Sequence, residues 1–120
     1  MITKTIDYQD GSRQLEGYLA YHETDQPKPA VLVAHDWSGR REFANKAAER
    51  IADMGYVGFA LDMYGKGIIG ADGDAEKNGA LMSPFAKDRA LLRRRINAAV
   101  DTVRQLPQVD ASRVAAMGYC

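Results

Sequence analysis

The sequence predicts an α/β protein: an N-terminal β-hairpin followed by a βαβαβ succession that builds a mainly parallel sheet. Three observations carry that expectation. Residues 30–34 (AVLVA), 56–62 (YVGFALD) and 114–118 (VAAMG) are short, continuous apolar runs, the pattern of strands buried on both faces. The stretches that separate them carry helical periodicity. Strands and helices therefore alternate, which favours parallel pairing through crossover helices.

The elements follow in order. Residues 3–9 (TKTIDYQ) and 15–21 (LEGYLAY) alternate apolar and polar side chains, and DGSR between them has turn chemistry, which predicts the hairpin. DQPKP at 25–29 reads as a connector, because its two prolines remove ladder donors. Residues 41–54 predict a helix with Phe43, Ala47, Ala48, Ile51 and Met54 on its buried stripe, ended by Gly55. The stretch 64–84, rich in glycine and small polar residues and closed by Pro84, reads as a long loop with one weak helical turn. Residues 85–106 predict the longest helix, with Leu92, Ile96, Ala99, Val103 and Leu106 facing inward and Arg93, Arg94 and Arg95 facing out. Two helices are few for a parallel sheet that needs cover on both faces, and the last strand has no return helix. The chain reads as the N-terminal portion of a single, incomplete α/β domain.

Composition narrows the function classes. Among 120 residues, sixteen acids balance sixteen bases, so charge gives no ground for a nucleic-acid partner or an anionic membrane. A single cysteine excludes an internal disulfide framework and fits a reducing compartment, so a cytoplasmic protein is expected. The N-terminus has no apolar signal-peptide region, and no apolar run approaches membrane-spanning length.

Chemistry concentrates at three strand ends. In open parallel sheets ligands gather at the carboxyl ends of the strands, and here those ends read HDWSGRR, DMYGKG and GYC. Gly118-Tyr119-Cys120 supplies the first half of a nucleophile elbow, in which a Ser or Cys sits on a sharp strand-to-helix turn. From these residues alone Cys120 is either that nucleophile or a buried structural thiol. His35 reads as structural, and His22 has no evident partner.

Taken together, VLVAHDWSGRREF, GYVGFALDMYGKG and RVAAMGYC resemble the dienelactone hydrolase family, a cysteine branch of the α/β-hydrolase fold. The likeness runs along essentially the whole chain and matches about the first half of the family's length. It implies an ester or lactone hydrolase that works through a cysteine acyl-enzyme, with no metal or organic cofactor. Cys120 would be the nucleophile. Asp36 matches the acid that holds the resting thiol, where many relatives have the longer Glu. Trp37 matches the residue whose backbone N–H forms half of the oxyanion hole. Tyr64 and Lys66 fall where the family binds a substrate carboxylate, and Arg40, with Arg41, would line the same mouth. Lys66 offers a point charge where relatives commonly carry a bidentate Arg, so an anionic substrate stays open. The triad Asp and His would lie downstream of the matched half. Two other readings remain: an inactive fragment, or half of a split enzyme completed by a C-terminal half in another chain; and a thiol redox module, for which no resolving cysteine speaks.

Overall fold

The computed structural model describes residues 1–119; the nucleophile predicted at Cys120 lies outside the described residues. Ile2–Asp10 (β1) and Arg13–Tyr21 (β2) form the expected antiparallel hairpin. Lys28–Ala34 (β3), Glu42–Asp53 (α1) and Val57–Ala60 (β4) follow, then Ala75–Lys87 (α2), Arg89–Arg104 (α3) and Val109–Gly118 (β5). The sheet order is β1-β2-β4-β3-β5. β3 pairs in parallel with both β4 and β5, while β2 docks antiparallel on β4. The βαβαβ part is thus parallel, and the hairpin extends it at one side.

Cover on the two faces is built differently. On one, α1 lays Ala44, Ala47, Ala48, Ile51 and Ala52 against Ala20, Val33 and Ala60. The small side chains let helix and sheet approach closely. A Cβ at Gly58 would stand 2.1 Å from the Ala48 carbonyl oxygen, so only glycine fits there. The other face carries the larger core, where Leu15, Leu19, Leu32 and Phe59 meet Ala99 and Val103 of α3.

Several expectations change. The stretch 64–84 is not all loop: α2 begins at residue 75, where the Asp74 carboxylate accepts the Lys77 N–H at 3.1 Å and caps the helix. Pro84 sits inside α2 instead of closing a loop. The helix expected over 85–106 is broken at Asp88, which leaves helical geometry and caps α3 by accepting the Leu91 N–H at 3.1 Å. The described residues accordingly form three helices where two were expected. Phe43 and Met54 are exposed, because α1 turns its alanines to the sheet. Arg95 is buried instead of solvated. β3 starts at Lys28 and so includes Pro29, at a point where the β3–β5 register is irregular. β5 begins at Val109, five residues earlier than expected, and Ala115 to Gly118 are exposed; among the described residues β5 lies at the sheet edge beside β3. No helix among the described residues is long and apolar enough to cross a membrane.

Candidate active site

The turn after β4 is organised by one buried carboxylate. Asp62 Oδ1 accepts the N–H groups of Tyr64 and Gly65, each at 3.0 Å, and Oδ2 accepts the Glu16 N–H of β2 at 3.0 Å. Gly65, at φ 133°, supplies the backbone that closes this turn. Tyr8 adds a further tie, its hydroxyl accepting the Asp62 N–H at 3.0 Å, and burial raises that phenol to about 12.

Beside it, the turn after β3 carries His35, Asp36 and Trp37. His35 is fully engaged: its Nδ1–H donates to the Asp36 carbonyl at 2.7 Å and its Nε2 accepts the Met63 N–H at 3.0 Å. Burial pushes this imidazole below its ordinary value, so it sits neutral and links the two turns. Asp36 is half-buried. Its Oδ1 accepts the Ser38 N–H at 2.9 Å and the Ser38 hydroxyl at 2.6 Å. Burial tends to raise this carboxyl, but the Ser38 bonds, helped by nearby His35 and Arg41, outweigh it and hold Asp36 below its usual value. Among the described residues Oδ2 has no partner.

Tyr64 clamps the two turns together. Its hydroxyl donates to the Trp37 carbonyl at 2.8 Å, and its ring packs on His35 and Phe85 at centroid distances of 5.0 and 5.7 Å. Burial, with the Asp36 charge behind it, lifts the phenol to about 12, so the hydroxyl stays a donor. A cavity of about 200 Å³ opens above this cluster, lined by Trp37, Met63, Tyr64, Phe85, Leu92 and Tyr119, with Asp36 at its edge. Tyr119 comes there because its N–H bonds the Ala34 carbonyl at 3.3 Å and its ring stands edge-on to Phe43.

The structure thus brings Asp36, Trp37 and Tyr64 together and sends Arg40 and Lys66 elsewhere. Arg40 donates to the Glu16 carbonyl at 2.7 Å, the Glu16 carboxylate at 2.8 Å and Asn45 at 2.9 Å. It lines a separate hollow with Glu16 and Asp62. Lys66 binds the Asp7 carboxylate at 3.0 Å and reaches Glu16 at 3.7 Å; the Asp7 bond raises its ammonium above the ordinary value.

Two supporting residues escaped the sequence reading. Asp62 is one: its position at a strand end was legible, but its use as an internal acceptor was not. Arg95 is the other. Its guanidinium pairs with Asp10 at 2.9 Å, donates to the Met63 carbonyl and lies 5.3 Å from the Phe85 ring centroid. It holds the turn after β4 from below. No group of three or more potential metal ligands occurs among the described residues.

Set beside known proteins, residues 15–120 match the model of the dienelactone hydrolase family. The chain belongs to the dienelactone hydrolase family. A dienelactone hydrolase-like promiscuous phosphotriesterase from metagenomic libraries is 33% identical, with a TM-score of 0.91 over 99% of this chain and 49% of its own. A structure named m3DLH is 36% identical, with a TM-score of 0.92 over the same shares, 99% and 49%. The dienelactone hydrolase of Anabaena variabilis shares the fold at 22% identity and a TM-score of 0.68, over 98% of this chain and 51% of its own. No curated protein matches the chain. The chain spans about half the length of these solved dienelactone hydrolase-type structures. The turn after β3, the turn after β4 and the end of β5 all contribute residues to one cavity.

Proposed function

We propose that this chain carries the nucleophile side of a hydrolase that cleaves an ester or lactone through an acyl-cysteine at Cys120. The convergence of Asp36, Trp37 and Tyr119 on one apolar cavity is the observation that supports this reading best. In the first step the Cys120 thiolate attacks the carbonyl carbon, forming a carbon–sulfur bond as the carbonyl becomes an oxyanion. The Trp37 N–H, which has no acceptor among the described residues, offers one donor to that oxygen. Collapse expels the alkoxide, which takes up the proton that the thiol gave up on becoming thiolate, and water then hydrolyses the thioester to the acid and regenerates the thiol. Asp36, ionised at neutral pH with one oxygen unpartnered among the described residues, is the acid this reading assigns to holding the resting thiol. The single cysteine fits a reducing, cytoplasmic setting for such a thiol.

The test is alkylation of Cys120 by iodoacetamide in the full-length protein. Stoichiometric labelling should abolish cleavage of simple aryl esters; unchanged turnover would sink the proposal.

A further inference from the structure

We propose that Asn78 is a positioning residue for Asp36: from α2 it holds residues 65–74 against Ser38, the residue that orients the Asp36 carboxylate. This rests on the hydrolase reading above, in which Asp36 is the acid that holds the thiol. Asparagine is a poor choice for a helix interior, because its amide competes with the backbone for hydrogen bonds. Asn78 nevertheless sits inside α2, 1% exposed. Its amide answers one residue across the fold. Oδ1 accepts the Ala71 N–H at 3.1 Å, and Nδ2 donates to the Ala71 carbonyl at 2.8 Å.

The pairing reaches the turn after β3 in two short steps. Gly70, next to Ala71, donates its N–H to the Ser38 carbonyl at 2.8 Å. Ser38 in turn gives its N–H and its hydroxyl to Asp36 Oδ1. The contact admits no side chain at residue 70. A Cβ there would stand 1.7 Å from Asn78 Oδ1 and 3.4 Å from the Ser38 Cα. A second tie, Arg41 to Asp72 at 2.6 Å, is weaker, because the Asp72 side chain is 94% exposed and such pairs contribute little. The buried, two-bonded amide of Asn78 is the firmer anchor. Burial raises the Asp36 carboxyl; the two Ser38 bonds act first against it, then His35 and, least, Arg41. Tyr64 feels the same charge, while Glu42, Lys46 and Arg50 of α1 share a hollow with Asp36 and Asp72. Loosening the Ser38 turn therefore raises Asp36, and an Arg41 freed from Asp72 offsets only a small part.

The experiment records kcat/KM for 4-nitrophenyl butyrate against pH on the full-length protein, with urea unfolding alongside. The variants are Asn78→Ala, Ser38→Ala and the two combined. On the acid limb, Asn78→Ala should lower kcat/KM relative to its plateau by about two- to threefold, a bond loosened and not deleted. Ser38→Ala should lower it further, and the double variant no further than Ser38→Ala, because both act through one hydroxyl. Gly70→Ala presses Asn78 away without deleting a bonding group; it should match Asn78→Ala and replaces it if that variant does not fold. A lower unfolding midpoint with the limb unmoved, while Ser38→Ala moves it, makes Asn78 scaffold. That result overturns the inference and leaves the hydrolase reading standing. An additive shift in the double variant overturns it too. A limb that neither substitution moves removes Asp36 from the hydrolase reading, and the inference falls with it.

Discussion

Asp36 and Asp62 stand two residues past the ends of neighbouring parallel strands, in turns that share a histidine and a tyrosine, yet they have opposite fates. Asp62 is buried and satisfied by three backbone N–H groups from two segments. Asp36 is half-buried, and both of its hydrogen bonds come from Ser38 to a single oxygen. A carboxylate with all its capacity spent inward is scaffold; one with an oxygen in reserve at a cavity is a chemical group. Position at a strand end does not separate the two. The number and origin of their donors does.

The widest break in that comparison comes from Asp62→Ala. It leaves three N–H donors without their acceptor, each worth about 1–3 kcal/mol when buried. The Glu16 donor lies nearer the surface, so the expected loss is about 3–5 kcal/mol in urea unfolding, close to the whole stability of a marginal domain. Asp36→Ala, by contrast, removes the acceptor of two bonds, both from Ser38, and should cost about 1–2 kcal/mol. Equal losses from the two substitutions would show that both turns are scaffold.

The same contrast explains what was legible beforehand. The buried strands announce themselves through continuous runs such as AVLVA, because a strand covered on both faces has no polar side to display. The convergence of HDW, DMYG and GYC follows from parallel order alone, since every strand then ends at one edge. What stayed hidden depends on distant partners. Arg95 sits in a run of three arginines and looks solvated; its burial is set by Asp10, 85 positions away. Lys66 turns to Asp7 and Glu16 because the hairpin docks beside β4, a pairing that no local pattern encodes. α2 escaped because its apolar side is thin, Leu81 and Phe85 being its main contributions, while Gly79 and Pro84 imitate a loop.

Ser38→Ala sharpens the comparison by a smaller step. The Ser38 hydroxyl is the foremost of the groups that hold Asp36 down, so its removal raises the Asp36 carboxyl toward the ordinary range. The sign follows from linkage. A depressed carboxyl adds stability in full above its unfolded-state value and loses it as pH falls through the lower, folded one. The variant should lose about 1 kcal/mol at neutral pH, and less in acid, where the bond to the charged form no longer counts. The acid limb of ester turnover should move to higher pH, because Asp36 now protonates sooner. A limb that stays in place would remove Asp36 from the reaction.

Tyr64→Phe is the smallest change and separates two roles that the same residue can hold. The variant keeps the ring between His35 and Phe85 and removes only the bond to the Trp37 carbonyl. Trp37 is 41% exposed, so water takes over that carbonyl and the stability loss should stay near 0.5–1 kcal/mol. The kinetic signature is more telling. If Tyr64 positions the Trp37 backbone, the freed turn aims its N–H less well at the oxyanion, and kcat falls about two- to fivefold with KM unchanged. That is a small part of the hundredfold or more expected when such a donor is lost outright. If Tyr64 instead grips the substrate, as its place in the family motif implies, KM rises and kcat holds. The hydroxyl's 2.8 Å bond to Trp37 favours the first outcome, because a donor already satisfied inside the protein has little left for a ligand.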